Sequence, residues 1–444
     1  MNYIIPLITL FALLILGLSF VRYKLAIVLY LSYMILVPYF FIDLPVWSFS
    51  NSSVVAVLLG VLIFDFRLKK NISPDFTAVM PFFFLLASLL LITLFTDMSS
   101  PKFQLYNWGV DFMNVCVFPF IIWNVSINDD KFVINAKNSL MISILIAGMY
   151  AILTMKLGGE NPYAAFLSSH LNLEIDYIGS YIEGSRIRNQ GTMLHPFNWV
   201  YYLCLLCCYF SILLLKERKR IYLLLFCFIA FNIIIADVRT GLASMIIALT
   251  YIYVRYNNIR KTIFYGTAIV VIAALIIAAN EELSQRFLSL IDISGTRTEL
   301  EGSSFQMRIE QFYGCLDEIS HSPLFGNGYG WTQYYLSIFL EHPVIFGFES
   351  LIFTVLCNHG MAGVIIWLIF GSMLFRVPRK ILGIKKNVYC VDGLVVFFFT
   401  YTVATGLFEW LAPFALFYSL LLGYLYQEEK KKLIQSSFYE YSEN

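Results

Sequence analysis

The sequence predicts an all-α, polytopic integral membrane helical bundle of about 12 to 13 spans with two long extracytoplasmic loops, the second containing an amphipathic helix. Three observations carry that reading. Of 444 residues, 59% are hydrophobic and 13% charged, and the mean hydropathy is +0.74, far outside the range of soluble domains. Apolar runs of membrane-crossing length recur along the chain, and Lys and Arg gather in alternate connections between them. This composition excludes soluble enzymes, and a net charge of +1 provides no field for nucleic acid.

A bilayer core takes about 20 apolar residues per helix. The first run, 4–21, has no basic stretch before it and reads as a membrane helix rather than a cleaved signal. Runs at 25–42, 52–66, 76–95, 105–125 and 139–157 complete an N-terminal membrane unit, 1–157. A loop, 158–191, leads to a central unit, 192–279, with runs at 192–215, 221–236, 240–255 and 262–279. A large loop, 280–347, precedes a C-terminal unit, 348–426, with runs at 348–372, 391–408 and 411–426, and then a tail, 427–444. Span 52–66 is short and the last two runs form one interrupted element or two, which is why the count has two values.

Basic residues prefer cytoplasmic connections. One alternating set holds Arg22 and Lys24, Arg67 to Lys70, Lys131 and Lys137, Lys216 to Arg220, Arg255 to Lys261, Arg376 to Lys386, and Lys430 to Lys432, most of the 30 Lys and Arg in the chain. This set is therefore cytoplasmic, as is the C-terminus, and loops 158–191 and 280–347 lie outside with the turn IADVRTG at 235–241. Connections elsewhere are short, so the two long loops read as functional.

The second loop has structure of its own. Ser303-x-x-Gln306 matches a capping box, and Phe305, Ile309, Phe312, Leu316 and Ile319 recur at helical spacing, predicting an amphipathic helix across the outer mouth of the bundle. It ends at His321-Ser322-Pro323, and Gly326, Gly328 and Gly330 then permit sharp turns. Leu283, Phe287 and Leu290 or Ile291 suggest a shorter interfacial helix ahead of it.

The rare charges collect outside: Arg186, Arg188, Arg239, Arg286, Arg297 and Arg308. A guanidinium matches phosphate oxygens in a bidentate manner and stays charged when partly buried. Arg239 stands between two membrane helices at the edge of the hydrocarbon, where a charge marks a site or a pathway; structural pairing with Asp237 is the alternative. Glu349, at the outer start of an apolar run, has the position of a general base in low dielectric or of a helix-start acid favoured by the dipole. Glu341 and His342 lie just upstream. Asn107, Asp111 and Asn114 line one helix face, as do His195, Asn198 and Tyr202, and both trios suit hydrogen bonding between helices. Asn358 and His359 read as packed, hydrogen-bonded core.

The eight cysteines show no CxxC or Cys/His spacing of a zinc site, and no DxD, HExxH or nucleotide-binding glycine loop faces outside. No metal or cofactor is expected. An outer reaction without nucleotide points to an activated lipid as donor.

Arg188-x2-Gly191-x4-Pro196, then VRTGLAS with Arg239, then Arg308 on a helix leading to SPLFGNGYG, then Glu349 followed by Gly360 and Gly363, resembles the bacterial O-antigen ligase and polymerase family across about 180–370. The resemblance implies a multi-pass glycosyltransferase of the bacterial inner membrane, with its site facing the periplasm or outside, acting on undecaprenyl-pyrophosphate-linked oligosaccharide for O-antigen or capsule. It implies Arg188, Arg239 and Arg308 as pyrophosphate contacts, Glu349 as the base, and Arg186, His195, Asp237, Asp111, Glu341 and His342 in support. Possible partners are the lipid bilayer and a chain-length regulator. Ligases that attach glycan to lipid A-core usually show His where this chain has Glu349, so the polymerase is the expectation and the ligase the alternative. A lipid-linked oligosaccharide flippase is the reading from another class; it needs charges along a central cavity reaching both faces, whereas Asp111 and Glu349 both lie toward the outside.

Overall fold

The computed structural model describes residues 4–37, 42–43, 48–49, 51–68, 72–96, 100–163, 165–166, 181–183, 186–193, 195–256, 305–383, 386–406 and 410–442. The expected span 262–279, the interfacial helix at Leu283 to Ile291, Arg286, Arg297 and Ser303 lie outside them. The described elements are α1 (Ile4–Val21), α2 (Tyr23–Leu36), a short hairpin of β1 (Ile42–Asp43) and β2 (Ser48–Phe49), α3 (Asn51–Leu68), α4 (Met80–Thr93) and α5 (Pro101–Asp111). A π-turn, Phe112–Val117, joins α5 to α6 (Phe118–Asn128), and α7 (Asp130–Lys156) follows. A second hairpin pairs β3 (Tyr181–Glu183) with β4 (Arg186–Arg188). Then come α8 (Pro196–Glu217), α9 (Arg220–Ile235), α10 (Arg239–Tyr256), α11 (Phe305–Glu318), α12 (Trp331–Phe339), α13 (Leu351–Leu382), α14 (Asn387–Thr405) and α15 (Leu411–Ser442).

The protein is thus an all-α, polytopic membrane protein carrying only two short hairpins among the described residues. Five helical stretches there are long and apolar enough to cross a membrane: Pro101–Asn128, Asp130–Lys156, Pro196–Glu217, Leu351–Leu382 and Asn387–Thr405. Helix α8 is the central post. Its residues Leu203 to Leu213 are buried on every side, as an all-round apolar helix requires. Its own Trp199, Tyr201, Tyr209 and Phe210, with Tyr401 of α14 and Tyr418 of α15, fill the core with rings. The outer faces of α7, α9 and α13 instead expose Leu145, Ile146, Met149, Leu223, Leu224, Ile365 and Leu368, the pattern of helices bathed in hydrocarbon.

Several boundaries differ from expectation. Helix α2 stops at Leu36, short of 42, because the chain turns into the β1–β2 hairpin. Helix α7 begins nine residues before the apolar run at 139: Asp129 caps it by accepting from the amides of Lys131 and Phe132, and Lys137, counted as loop, is buried inside it. The helix of the C-terminal run does not end at 426 but continues to Ser442.

One end of the bundle is tied by ions. Lys137 pairs with Glu217 at 2.9 Å, Arg379 with Asp392 at 2.7 Å, Lys24 with Asp129 at 2.5 Å and Lys431 with Asp130 at 3.3 Å. These contacts gather the starts of α2, α7 and α14, the ends of α8 and α13, and the later turns of α15. The opposite end is where α8, α10 and α13 begin.

There α13 is broken. Gly360 adopts φ 58° and ψ −155°, and the segment after α11 fills the gap. Asn327 and Gly328 donate to the carbonyls of Cys357 and Asn358 at 3.0 and 2.7 Å, while the amides of Met361 and Ala362 donate to Pro323 and Leu324, both at 3.0 Å. The backbone groups freed by the break are thereby satisfied. Gly326 and Gly360 make this approach possible: a Cβ on either would stand 2.7 Å from backbone atoms of the other strand.

Candidate functional site

Three helix starts and one helix end build the site. Ser350 caps α13 by accepting from the Ile352 amide, and its hydroxyl donates to the Val403 carbonyl of α14 at 2.8 Å. Two residues back on α14, Tyr401 donates to the Phe197 carbonyl in the first turn of α8 at 2.9 Å. The Arg188 guanidinium stands over the Phe197 ring, 5.5 Å from its centre. Tyr401 also lies against α10, 3.3 Å from where a Cβ on Gly241 would stand, two residues after Arg239. Linked in this way, Arg188, Arg239 and Glu349 come to the same end of the bundle. The starts of α8, α10 and α13 add their partial positive charges, about half a unit each.

Arg308 joins them from α11. Its Nη2 lies 3.7 Å from the Glu349 Oε2, and its Nη1 donates to the Glu349 carbonyl at 3.3 Å and to the Gln311 Oε1 at 3.1 Å. Burial draws the Arg308 guanidinium below its ordinary pKa, and the facing Glu349 opposes that shift. Glu349 is half exposed, so the low-dielectric position expected for it is not what the fold provides. The helix is also turned relative to expectation. The face with Gln311, Gly314 and Cys315 packs inward together with Ile319 just beyond the helix, while Phe312 and Leu316 of the expected apolar stripe are exposed. That orientation carries Arg308 to Glu349.

Residues 223–368 match the family model described as O-antigen ligase. The match spans Arg239, Arg308 and Glu349, the residues just placed at one end of the bundle. That stretch of the chain is thus similar to the O-antigen ligase family. No curated protein matches it. Families of this kind are glycosyltransferase-like, and the match does not separate ligase from polymerase.

Other residues that an O-antigen ligase-like reading would place in support divide by what they touch. His195 is not on a helix face: it is the N-cap of α8, its Nδ1 accepting from the Phe197 amide at 3.3 Å. Burial and the neighbouring Arg188 push its imidazole down to about 4. Asn198 accepts from the Trp410 indole at 2.6 Å. Arg186 occupies β4 two positions from Arg188, paired in register with Glu183. Asp237 closes the turn between α9 and α10 with φ 52°, a left-handed conformation that Asp tolerates better than most residues. Glu341 is exposed.

His342 is a staple, not a reactive group facing the site. Its Nδ1 accepts from the amides of Val344 and Ile345 at 3.1 and 3.0 Å, leaving the Nε2 proton for Glu318 at 3.0 Å. Its ring sits against Tyr335 and Phe348, at 5.3 and 5.6 Å between centres. The segment it holds carries Leu340, Phe346 and Phe348 in left-handed conformations, immediately before Glu349.

Two cavities stand out among the described residues. The larger, about 460 Å³, is an apolar groove lined by Leu59, Phe66, Phe76, Phe83 and Phe112, away from the arginines. The smaller, about 100 Å³, lies beside Glu349; most of its surface is apolar, but Asp111, Tyr329, Gln333, Thr354, Asn358 and His359 stand in its wall. Asp111 thus belongs to a wall between α5 and the outer loop: Tyr329 donates to it at 2.7 Å, and Asn107 donates to Gln333 at 3.2 Å. Tyr329, just ahead of α12, and Gln333 within it carry no motif in the sequence, because the nine residues of α12 are too short a run to stand out from the connection around them.

Proposed function

We propose that the protein is a polysaccharide polymerase of O-antigen or capsule that transfers undecaprenyl-pyrophosphate-linked glycan to the acceptor sugar of another lipid-linked repeat unit. It works at the outer face of the bacterial inner membrane, with its C-terminus in the cytoplasm and without a metal or other cofactor. The observation that carries this is the pairing of Arg308 with Glu349 at the bundle end where Arg188 and Arg239 also lie. One carboxylate beside several guanidinium groups and helix starts suits a reaction that deprotonates a hydroxyl while a pyrophosphate departs.

In this mechanism the acceptor hydroxyl oxygen attacks the anomeric carbon and the carbon–oxygen bond to the pyrophosphate breaks. The electron pair leaves with the pyrophosphate, whose developing charge Arg188, Arg239 and Arg308 stabilise. The hydroxyl proton passes to Glu349. A single displacement inverts the anomeric centre. The Arg308–Glu349 pair is loose and half exposed, a geometry worth about 0–1 kcal/mol. An arriving pyrophosphate therefore draws Arg308 away at little cost and releases the Glu349 carboxylate for the acceptor. The exposed Phe312 and Leu316 suit a helix resting in the interfacial layer from which a lipid-linked donor enters. A ligase acting on lipid A-core is the second reading, and Glu349 in place of His disfavours it.

The test is polymerisation in membranes of the host's own undecaprenyl-pyrophosphate repeat unit by wild type, Glu349→Gln and Arg239→Ala, with expression matched. Long lipid-linked glycan from wild type, reduced at least a hundredfold in both variants, is the expected result. Glycan moved instead to a lipid A-type acceptor would make the protein a ligase, and variants as active as wild type would remove both residues from the chemistry.

A further inference from the structure

The smaller cavity, beside Glu349, lies where two irregular helices meet. One wall is α13 at its break, contributing Thr354, Asn358 and His359; the other is the end of α5, contributing Asp111 at the junction with the π-turn. Interruptions of this kind inside membrane bundles are tolerated where the backbone lines a cavity, and π-turns concentrate at functional sites. Tyr329, Thr332 and Gln333, at the start of α12, close a third side.

The lining is chemically mixed. Asp111 accepts hydrogen bonds, Gln333 and Asn358 offer amides, Thr354 offers a hydroxyl, and the rings of Tyr329 and Phe348 provide apolar faces. His359 is 2% exposed, its ring lines the cavity, and its Nδ1 meets no side-chain partner among the described residues. A ligand hydroxyl reaching that nitrogen would add a hydrogen bond the protein's side chains do not supply. A cavity of about 100 Å³ holds on the order of seven waters at roughly 15 Å³ of probe volume each, comparable with one sugar ring.

The cavity also reaches the reacting carboxylate. Gly347 and Phe348 form its rim, and the Glu349 side chain folds back over Gly347, its Cγ 3.6 Å and its Oε1 4.0 Å from where a Cβ on Gly347 would stand. A ring seated in the cavity therefore has an edge beneath the Glu349 carboxylate. With only one carboxylate in its wall, and no cluster of three or more His, Cys, Asp or Glu among the described residues, the cavity is not built for a metal ion.

We propose that this cavity is the acceptor-sugar subsite: it takes one sugar ring of the acceptor glycan, its hydroxyls meeting Asp111, Gln333, Asn358 and His359, and presents one hydroxyl to Glu349. The proposal rests on the transferase reading above and gives the acceptor a place distinct from the arginines that face the donor's pyrophosphate. Specificity for the acceptor's first sugar then resides in α5, α12 and the break of α13.

The experiment uses full-length protein in nanodiscs, the host's lipid-linked repeat unit purified from cells lacking the protein, and the free glycan released from it by mild acid. Gln333→Ala removes an amide from the wall. Leu336→Phe enlarges a side chain on the α12 wall of the cavity. Both variants should melt with wild type and bind undecaprenyl pyrophosphate within twofold of it. Their KM for the repeat unit as acceptor should rise at least tenfold with kcat within threefold, and their affinity for the free glycan should fall at least tenfold. Acceptor KM and free-glycan affinity within twofold of wild type in both variants would overturn the subsite. Equal loss of undecaprenyl pyrophosphate binding would also overturn it, by assigning the cavity to the donor. A wild type that transfers nothing, yet binds free glycan in a manner lost in both variants, would keep the sugar site while removing the transferase reading.

Discussion

Replacing Gly360 by Ala tests the junction on which the site depends. At φ 58° and ψ −155° the backbone is in a region that only glycine occupies readily, and an added Cβ would stand 2.7 Å from the Pro323 oxygen and from the Leu324 carbon and oxygen. Holding a non-glycine residue there costs about 1–3 kcal/mol, and overlap in a packed site adds about 1–3 kcal/mol. Relief requires the 323–328 segment to withdraw, with loss of the bonds from Met361 and Ala362 to Pro323 and Leu324. The combined cost of about 2–6 kcal/mol, at about 1.4 kcal/mol per tenfold, corresponds to opening at least about thirtyfold more often. Hydrogen exchange of the Asn327, Gly328, Met361 and Ala362 amides in nanodiscs should accelerate by that factor, and glycan transfer should fall with it. Gly158→Ala is the control: φ is 76° but nothing lies within 4 Å, so only the dihedral cost of about 1 kcal/mol applies. Wild-type protection in Gly360→Ala would show that segment 323–330 is not held by the break, and the account of the cavity would fail.

Three further outcomes follow from other contacts. Arg379→Met strands the fully buried Asp392 carboxylate and should destabilise the protein by about 3 kcal/mol, whereas the double variant Arg379→Met with Asp392→Leu should recover most of the loss in thermal unfolding. His195 is lowered in the folded protein from 6.5 to about 4, so folding favours its neutral form; the stability is fully present above pH 6.5 and is lost as pH falls toward 4. His195→Asn, which keeps a capping oxygen, should flatten that part of the melting-temperature profile, and an unchanged profile would sever His195 from acid sensitivity. His342→Leu leaves the Val344 and Ile345 amides without their acceptor and should cost about 1–3 kcal/mol, read as faster exchange at those two positions.

Much of the architecture was legible because hydrocarbon imposes a coarse rule. The paired helices of 221–236 and 240–255 appear within one residue of their expected ends, since the short turn bearing Asp237 and Arg239 interrupts continuous apolar sequence. What hydropathy hides is the third dimension. The face of α11 that packs was misjudged because Phe312 and Leu316 are apolar for contact with something other than the protein core. Lys137 read as loop because its partner Glu217 is far away in sequence. The break of α13 leaves no gap in hydropathy, and only the reciprocal fit of Gly326 and Gly360 reveals it. Of the candidate site, the order of Arg188, Arg239, Arg308 and Glu349 was visible in the chain; the cavity was not, because its wall comes from three separate elements.

The left-handed residues ahead of Glu349 have a consequence for how this carboxylate is aimed. Leu340, Phe346 and Phe348 each hold a conformation costing about 1–2 kcal/mol, so the segment is a tensioned strap. Its buckle is aromatic: Phe348 is wedged between Trp331, Tyr335 and His342. Loosening that wedge lets the strap relax toward extended backbone and swings the next residue, Glu349, off its bearing. Directional control of the carboxylate is thus leveraged from rings on α12, and a change at Trp331 or Tyr335 should misdirect Glu349 without any substitution at Glu349 itself.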